Sequence, residues 1–187
     1  MFIDFLTLML INMSAGLVVL AWYVAKGIDD PDQPRWAPAF AVPGMIALLN
    51  GFRIAWLWPL PGSYSVAFGD TSVLFGALLL GAAWSLAAKR DLMPHAVYAF
   101  FAGLASVLVG TGLVVLHMTK MPLISGLGFV LTGVAGIFAG AALRFRSVML
   151  VRVVGVLTLL GAAALWAVNG YLGYWMHLSF FAKWMPK

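Results

Sequence analysis

The chain has no cysteine and no glutamate, and Lys, Arg and Asp together supply only 9% of its 187 residues. Without cysteine there is no disulfide, no iron–sulfur ligation, no thiolate metal site and no cysteine nucleophile. Without glutamate the acids are Asp4, Asp29, Asp30, Asp32, Asp70 and Asp91, too few and too scattered for a carboxylate-based active centre. What fills the chain instead is apolar: 64% of residues are hydrophobic, in six blocks close to the roughly 20 residues a helix needs to cross hydrocarbon. Backbone groups in lipid must bond internally, which leaves helices or a closed barrel. Barrel strands alternate polar and apolar residues over about ten positions, whereas these blocks are continuously apolar and longer. The expected fold is therefore all-α: a single polytopic domain, residues 1–187, of six transmembrane helices.

The spans are expected from Phe2 to Ala25, Pro38 to Trp58, Thr71 to Ala88, Met93 to Met118, Pro122 to Leu143 and Ser147 to His177, with proline and glycine at the joins. The first block has no basic flank and carries Asp4, so it reads as part of the fold and not as a secretory signal. Lys26, Arg35, Lys89, Arg90, Arg144, Arg146 and Arg152 fall on the odd-numbered loops, against Lys120, Lys183 and Lys187 on the other side. That asymmetry places the odd loops in the cytoplasm and both termini outside, in the cell (inner) membrane. The same scatter reads the +5 net charge as a topology signal, with no nucleic-acid partner. Short echoes, Gly16–Leu20 with Gly112–Leu116 and Leu79–Ala83 with Leu159–Ala163, leave a three-plus-three inverted repeat open.

Span five carries Gly126, Gly133, Gly136 and Gly140, and span four Gly103, Ser106 and Gly110. Small residues let helix backbones approach in lipid, so these mark a close helix seam or an oligomer face. Ionisable groups within spans are the default functional candidates. Arg53 lies about 7 Å of helix rise before the Trp58-Pro59 exit, positioned either to snorkel or to pair with Asp4 or an anion. Asn50 is one turn deeper. His117 and His177 share the outer level with Arg53, Asn169 and Tyr174, and two imidazoles at one depth suit a metal or a haem b iron. The outer segment Trp58–Asp70 reads as an ordered lid, with Asp70 capping the next helix. The end, Phe180 to Trp184, reads as an interfacial anchor.

Met1-Phe2-Ile3-Asp4, Arg35-Trp36-Ala37-Pro38-Ala39-Phe40, Trp58-Pro59-Leu60-Pro61-Gly62-Ser63-Tyr64 and Gly173-Tyr174-Trp175-Met176-His177 together resemble a family of small prokaryotic membrane proteins of unknown function. The resemblance implies a free-standing multi-span domain and transfers no catalytic residue. With no nucleotide, phosphate, nucleophile or zinc motif, the chain reads as a non-enzyme. The leading expectation is an integral subunit or accessory protein of a larger membrane complex, respiratory or redox in its favoured form, with other membrane subunits or copies of itself as partners. Two alternatives stay open: a small anion or solute transporter with an outward vestibule at Arg53, and a haem- or quinone-binding protein using His117 and His177.

Overall fold

The structure is a computed structural model that describes residues 5–182, and among these it contains helices and no strand. Helix α1 spans Phe5–Trp22 and runs on through a π-helical turn, Tyr23–Gly27. A 3-10 turn at Gln33–Trp36 leads into α2, Ala37–Leu57, and a π-helical turn at Ser65–Asp70 leads into α3, Thr71–Ala87. Helix α4 spans Met93–Val115, α5 Pro122–Ile137, α6 Ala139–Arg144 and α7 Met149–Phe181.

Five of these helical stretches are long and apolar enough to cross a membrane. The remaining expected span, Pro122 to Leu143, is not one helix. It breaks at Phe138, whose φ of −91° and ψ of 5° interrupt the ladder, leaving α5 at 16 residues and the six-residue α6. Glycines at 136 and 140 flank the break and lower the cost of leaving the helix there. Two further corrections concern helix ends. Asp70 is itself helical and makes no side-chain cap, because the π-helical turn already supplies the turn before α3. Span four stops at Val115, ahead of the expected Met118.

Neighbours in the chain are neighbours in space: α1 packs on α2, α2 on α3, α3 on α4, α4 on α5, α5 on α7, and α7 returns to α1. The result is an up-and-down ring of six main helices. Glycine decides how closely the pairs approach. A Cβ at Gly103 would lie 2.5 Å from the Gly133 carbonyl oxygen, and one at Gly110 would lie 2.6 Å from that of Gly126. On the α2–α3 seam a Cβ at Gly76 would lie 2.6 Å from the Leu48 nitrogen. The glycines of spans four and five are thus consumed by a seam within the chain, bound further by the Ser106 hydroxyl donating to the Phe129 carbonyl at 2.8 Å.

The two ends of the ring differ. At one end the segment after α1 is latched to the start of α7: Asp29 pairs with Arg152 and, at 3.9 Å, with Arg146. Asp30 pairs with Arg35 and accepts the Trp36 indole N–H at 2.9 Å. That indole bond, then the Asp32 amide and the Arg35 guanidinium, hold the Asp30 carboxyl below the usual carboxylate range. Gln33 ties the loop together, donating to the Gly27 and Asp30 carbonyls and accepting from the Tyr23 hydroxyl at 2.8 Å. At the other end the expected lid, Trp58–Asp70, divides: Trp58, Pro59 and Pro61–Ser63 are exposed, while Ser65–Asp70 is already helix continuous with α3, with Ser65, Ala67, Phe68 and Gly69 buried.

Candidate functional site

Beneath the latch, the helices line a partly open chamber of about 490 Å³, within the range of roughly 300–1,000 Å³ typical of ligand sites, and its rim includes the exposed Phe138, Leu150 and Val154. Its walls come from α1 (Met13, Leu17), α3 (Phe75, Leu79), α4 (Ala99), α5 (Phe129) and α7 (Leu159), while Tyr23 and Ile28 reach it from the latch. Behind this lining, Phe129 belongs to an aromatic cluster. Phe129 meets Phe68 edge-on at 5.4 Å and Trp166 at 4.7 Å between centroids, and the Trp166 indole donates to the Thr132 hydroxyl at 3.0 Å. The indole lies over Gly128 of α5 at ordinary contact distance, a Cβ there standing 3.4 Å from the ring.

No Lys, Arg or Asp lines the chamber. Its hydroxyls are committed to protein acceptors: Thr71 to the Ala67 carbonyl at 2.6 Å, Ser106 to Phe129, Thr132 to the Gly128 carbonyl at 2.8 Å and Thr158 to the Val154 carbonyl at 2.9 Å. The exception is His95. Its imidazole lines the chamber at the latch end, with Nδ1 buried and without a hydrogen-bond partner. Gly81 of α3 makes room for the ring, because a Cβ there would come within 2.9 Å of Cδ2 and Nε2.

The residues singled out from sequence lie elsewhere, towards the opposite end. Arg53 is exposed on α2. Asn50 is half-buried and returns its amide to its own helix at the Ile46 carbonyl, 3.1 Å away. His117 is exposed in the turn after α4, at a left-handed φ of 49°. His177 is half-buried on α7, its ring edge-on to Phe181 at 5.9 Å. Tyr174 is exposed, and Asp4 lies outside the described residues, as do Lys183 and Trp184 of the expected anchor. Asn169 has a packing role, accepting from Ser125 at 3.1 Å and donating to the Leu165 carbonyl at 2.9 Å, which joins α7 to α5. Of the expected outer cluster, Arg53 and His117 are thus exposed and His177 is half-buried, while Asp4, the acid expected beside Arg53, is not among the described residues.

In the amino-acid order His95 is only a histidine near the start of span four. The signal available was its position one turn into an apolar helix, within reach of a glycine-bearing neighbour. Nothing in the sequence says that α3 presents Gly81 to it. Among the described residues no cluster of three or more His or Asp groups suits a metal ion. No curated protein and no solved structure matches the chain. One family model does, over residues 1–179, and with nearly the whole length matched the chain belongs to the family described as protein of unknown function, DUF981.

Proposed function

We propose that this is a six-crossing integral protein of the cell (inner) membrane that binds a lipophilic molecule in its central chamber, and does so as a non-catalytic member of a larger membrane assembly. The observation that carries the reading is the chamber: a partly open hollow among apolar helices whose lining holds no charge. An apolar hollow of this kind favours apolar guests, because little in its wall repays the loss of water by a polar one. The exterior supports membrane embedding. Leu108, Leu157, Trp84 and Phe101 are each more than 60% exposed, a surface suited to lipid or to other membrane subunits. Counting α5 with α6 as one crossing gives six, and the seven basic residues of the latch-end loops then put that end in the cytoplasm. The readings that depend on Arg53 as an anion site, or on His117 with His177 as haem or metal ligands, draw no support from where those side chains stand.

Orientation has a direct test, helped by the absence of native cysteine. In intact cells an impermeant maleimide should label Ser63→Cys and leave Ser147→Cys unmodified until the membrane is opened, both positions being exposed. The reverse pattern would invert the assignment. Chamber binding is tested with a photoactivatable alkyl diazirine in nanodiscs. Labelling is expected at the buried Phe75, Leu79 and Leu159 and should fall in Leu78→Trp, which fills the chamber with an indole. Labels confined to lipid-facing positions such as Leu108 and Leu157 would sink the reading.

A further inference from the structure

We infer that the chamber's guest is a neutral amphiphile, an alkyl chain ending in a hydroxyl or carbonyl oxygen, and that His95 is the residue that recognises this head group. The inference rests on the chamber reading above and adds to it the chemistry of one end. Three observations converge. First, the lining holds no charged side chain, so an ionised head group would enter without a counter-charge in a low-dielectric space, at prohibitive cost. Second, each threonine and serine hydroxyl in the wall already donates to a backbone carbonyl, and the Tyr23 hydroxyl donates to Gln33. His95 is left with hydrogen-bonding capacity unspent at Nδ1, an atom with no surface open to the chamber, so the ring must turn about its Cβ–Cγ bond to offer it to a guest. An imidazole presents one donor and one acceptor nitrogen when neutral, so it suits a hydroxyl or a carbonyl equally.

Third, His95 stands at the correct end. It is the third residue of α4, beside the polar latch, while the chamber extends along α4 as far as Ser106, roughly 16 Å of helix rise. A head group held at His95 therefore sits near the level where the loops meet the membrane, and the chain runs inward towards Phe129. The route in is lateral. Helices α3 and α4 are the most loosely packed neighbours in the ring, and a second hollow lies on the outer side of their joint. It is lined by Pro94, Val97, Tyr98 and Phe101 and shares Leu74 and Ala102 with the chamber, so a single chain can pass from the bilayer between these helices.

The test compares dodecan-1-ol with dodecane, added to nanodiscs at matched mole fraction, as competitors of the diazirine label at Phe75 and Leu79. Wild-type protein should be protected by the alcohol at roughly 3–10-fold lower concentration than by the alkane, the value of one net hydrogen bond. His95→Phe should bring the two competitors level by weakening the alcohol alone. His95→Gln, which keeps a donor and an acceptor, should restore part of the preference. Equal protection by alcohol and alkane in the wild type would overturn the role of His95 while leaving an apolar chamber in place. Failure of both to protect would overturn the chamber as well. An alkane weakened as much as the alcohol in His95→Phe would show a packing role for the ring and refute recognition.

Discussion

Gly133→Val should be the most damaging conservative change on the α4–α5 seam, lowering the unfolding temperature of the detergent-solubilised protein by about 5–10 °C. The reason is that the group a new Cβ would strike is backbone, 2.5 Å away at the Gly103 carbonyl and 2.9 Å away at the Val107 nitrogen. A side chain can rotate aside, but here α4 itself must retreat and the Ser106–Phe129 hydrogen bond must lengthen with it. Overpacking of this sort costs about 1–3 kcal/mol and more where the backbone cannot yield. For a chain of this size each kcal/mol moves the midpoint by roughly 2–4 °C. Gly112→Ala is the matched control, since nothing lies within 4 Å of its Cβ position, and it should leave the midpoint within about 1 °C or raise it slightly through better helix propensity. Equal midpoints for Gly133→Val and wild type would mean that the two backbones are not in contact in the membrane protein.

The second large effect belongs to Trp166. The residue is 2% exposed and packs edge-on behind Phe129, which lines the chamber. Removing its indole as Trp166→Ala should cost about 3–5 kcal/mol, on the order of a 10 °C fall in midpoint, because the α5–α7 contact behind Phe129 loses packing that no neighbour can replace. Trp166→Phe separates packing from hydrogen bonding. It keeps an aromatic face towards Phe129 and loses only the N–H donated to Thr132, a difference of about 0.6 kcal/mol for a hydrogen bond between helices in a membrane protein. The Phe variant should therefore sit much nearer the wild type than the Ala variant. Equally large losses in the two would shift the importance of this residue from packing to its hydrogen bond.

The two predictions sit on different structural levels, and this bears on how the chamber is held. The α4–α5 seam is a backbone contact that places Ala99, Ser106 and Phe129 against the chamber. The aromatic cluster is a side-chain contact that backs the lining at Phe129. The latch covers one end by charge, with Asp29 reaching Arg152 across the chain and Asp30 held ionised by Trp36 and Arg35. Because folding lowers the Asp30 carboxyl, that part of the latch is fully present above the ordinary carboxylate range and is lost as pH falls through the lowered value.

Much of this molecule is written in its amino-acid order alone. Continuous apolar blocks exclude a barrel, since each backbone group must bond within its own segment, and helical spacing of Gly103, Ser106 and Gly110 against the glycines of span five already marks a close seam. These are local properties, set by period and composition. What sequence order could not supply is which polar groups remain unspent. Arg53, His117 and His177 are conspicuous by type and share one end by topology, yet exposure of a side chain depends on how far each helix end stands beyond its neighbours. His95 is inconspicuous by type, and its significance arises only because α3 sets Gly81 against its ring while the chamber's hydroxyls turn to their own carbonyls. The pairing of Asp29 with Arg152, 123 positions apart, belongs to the same class. Such facts are sums over contacts between distant segments, and only the packed ring brings those segments to the distances at which hydrogen bonds and burial are decided.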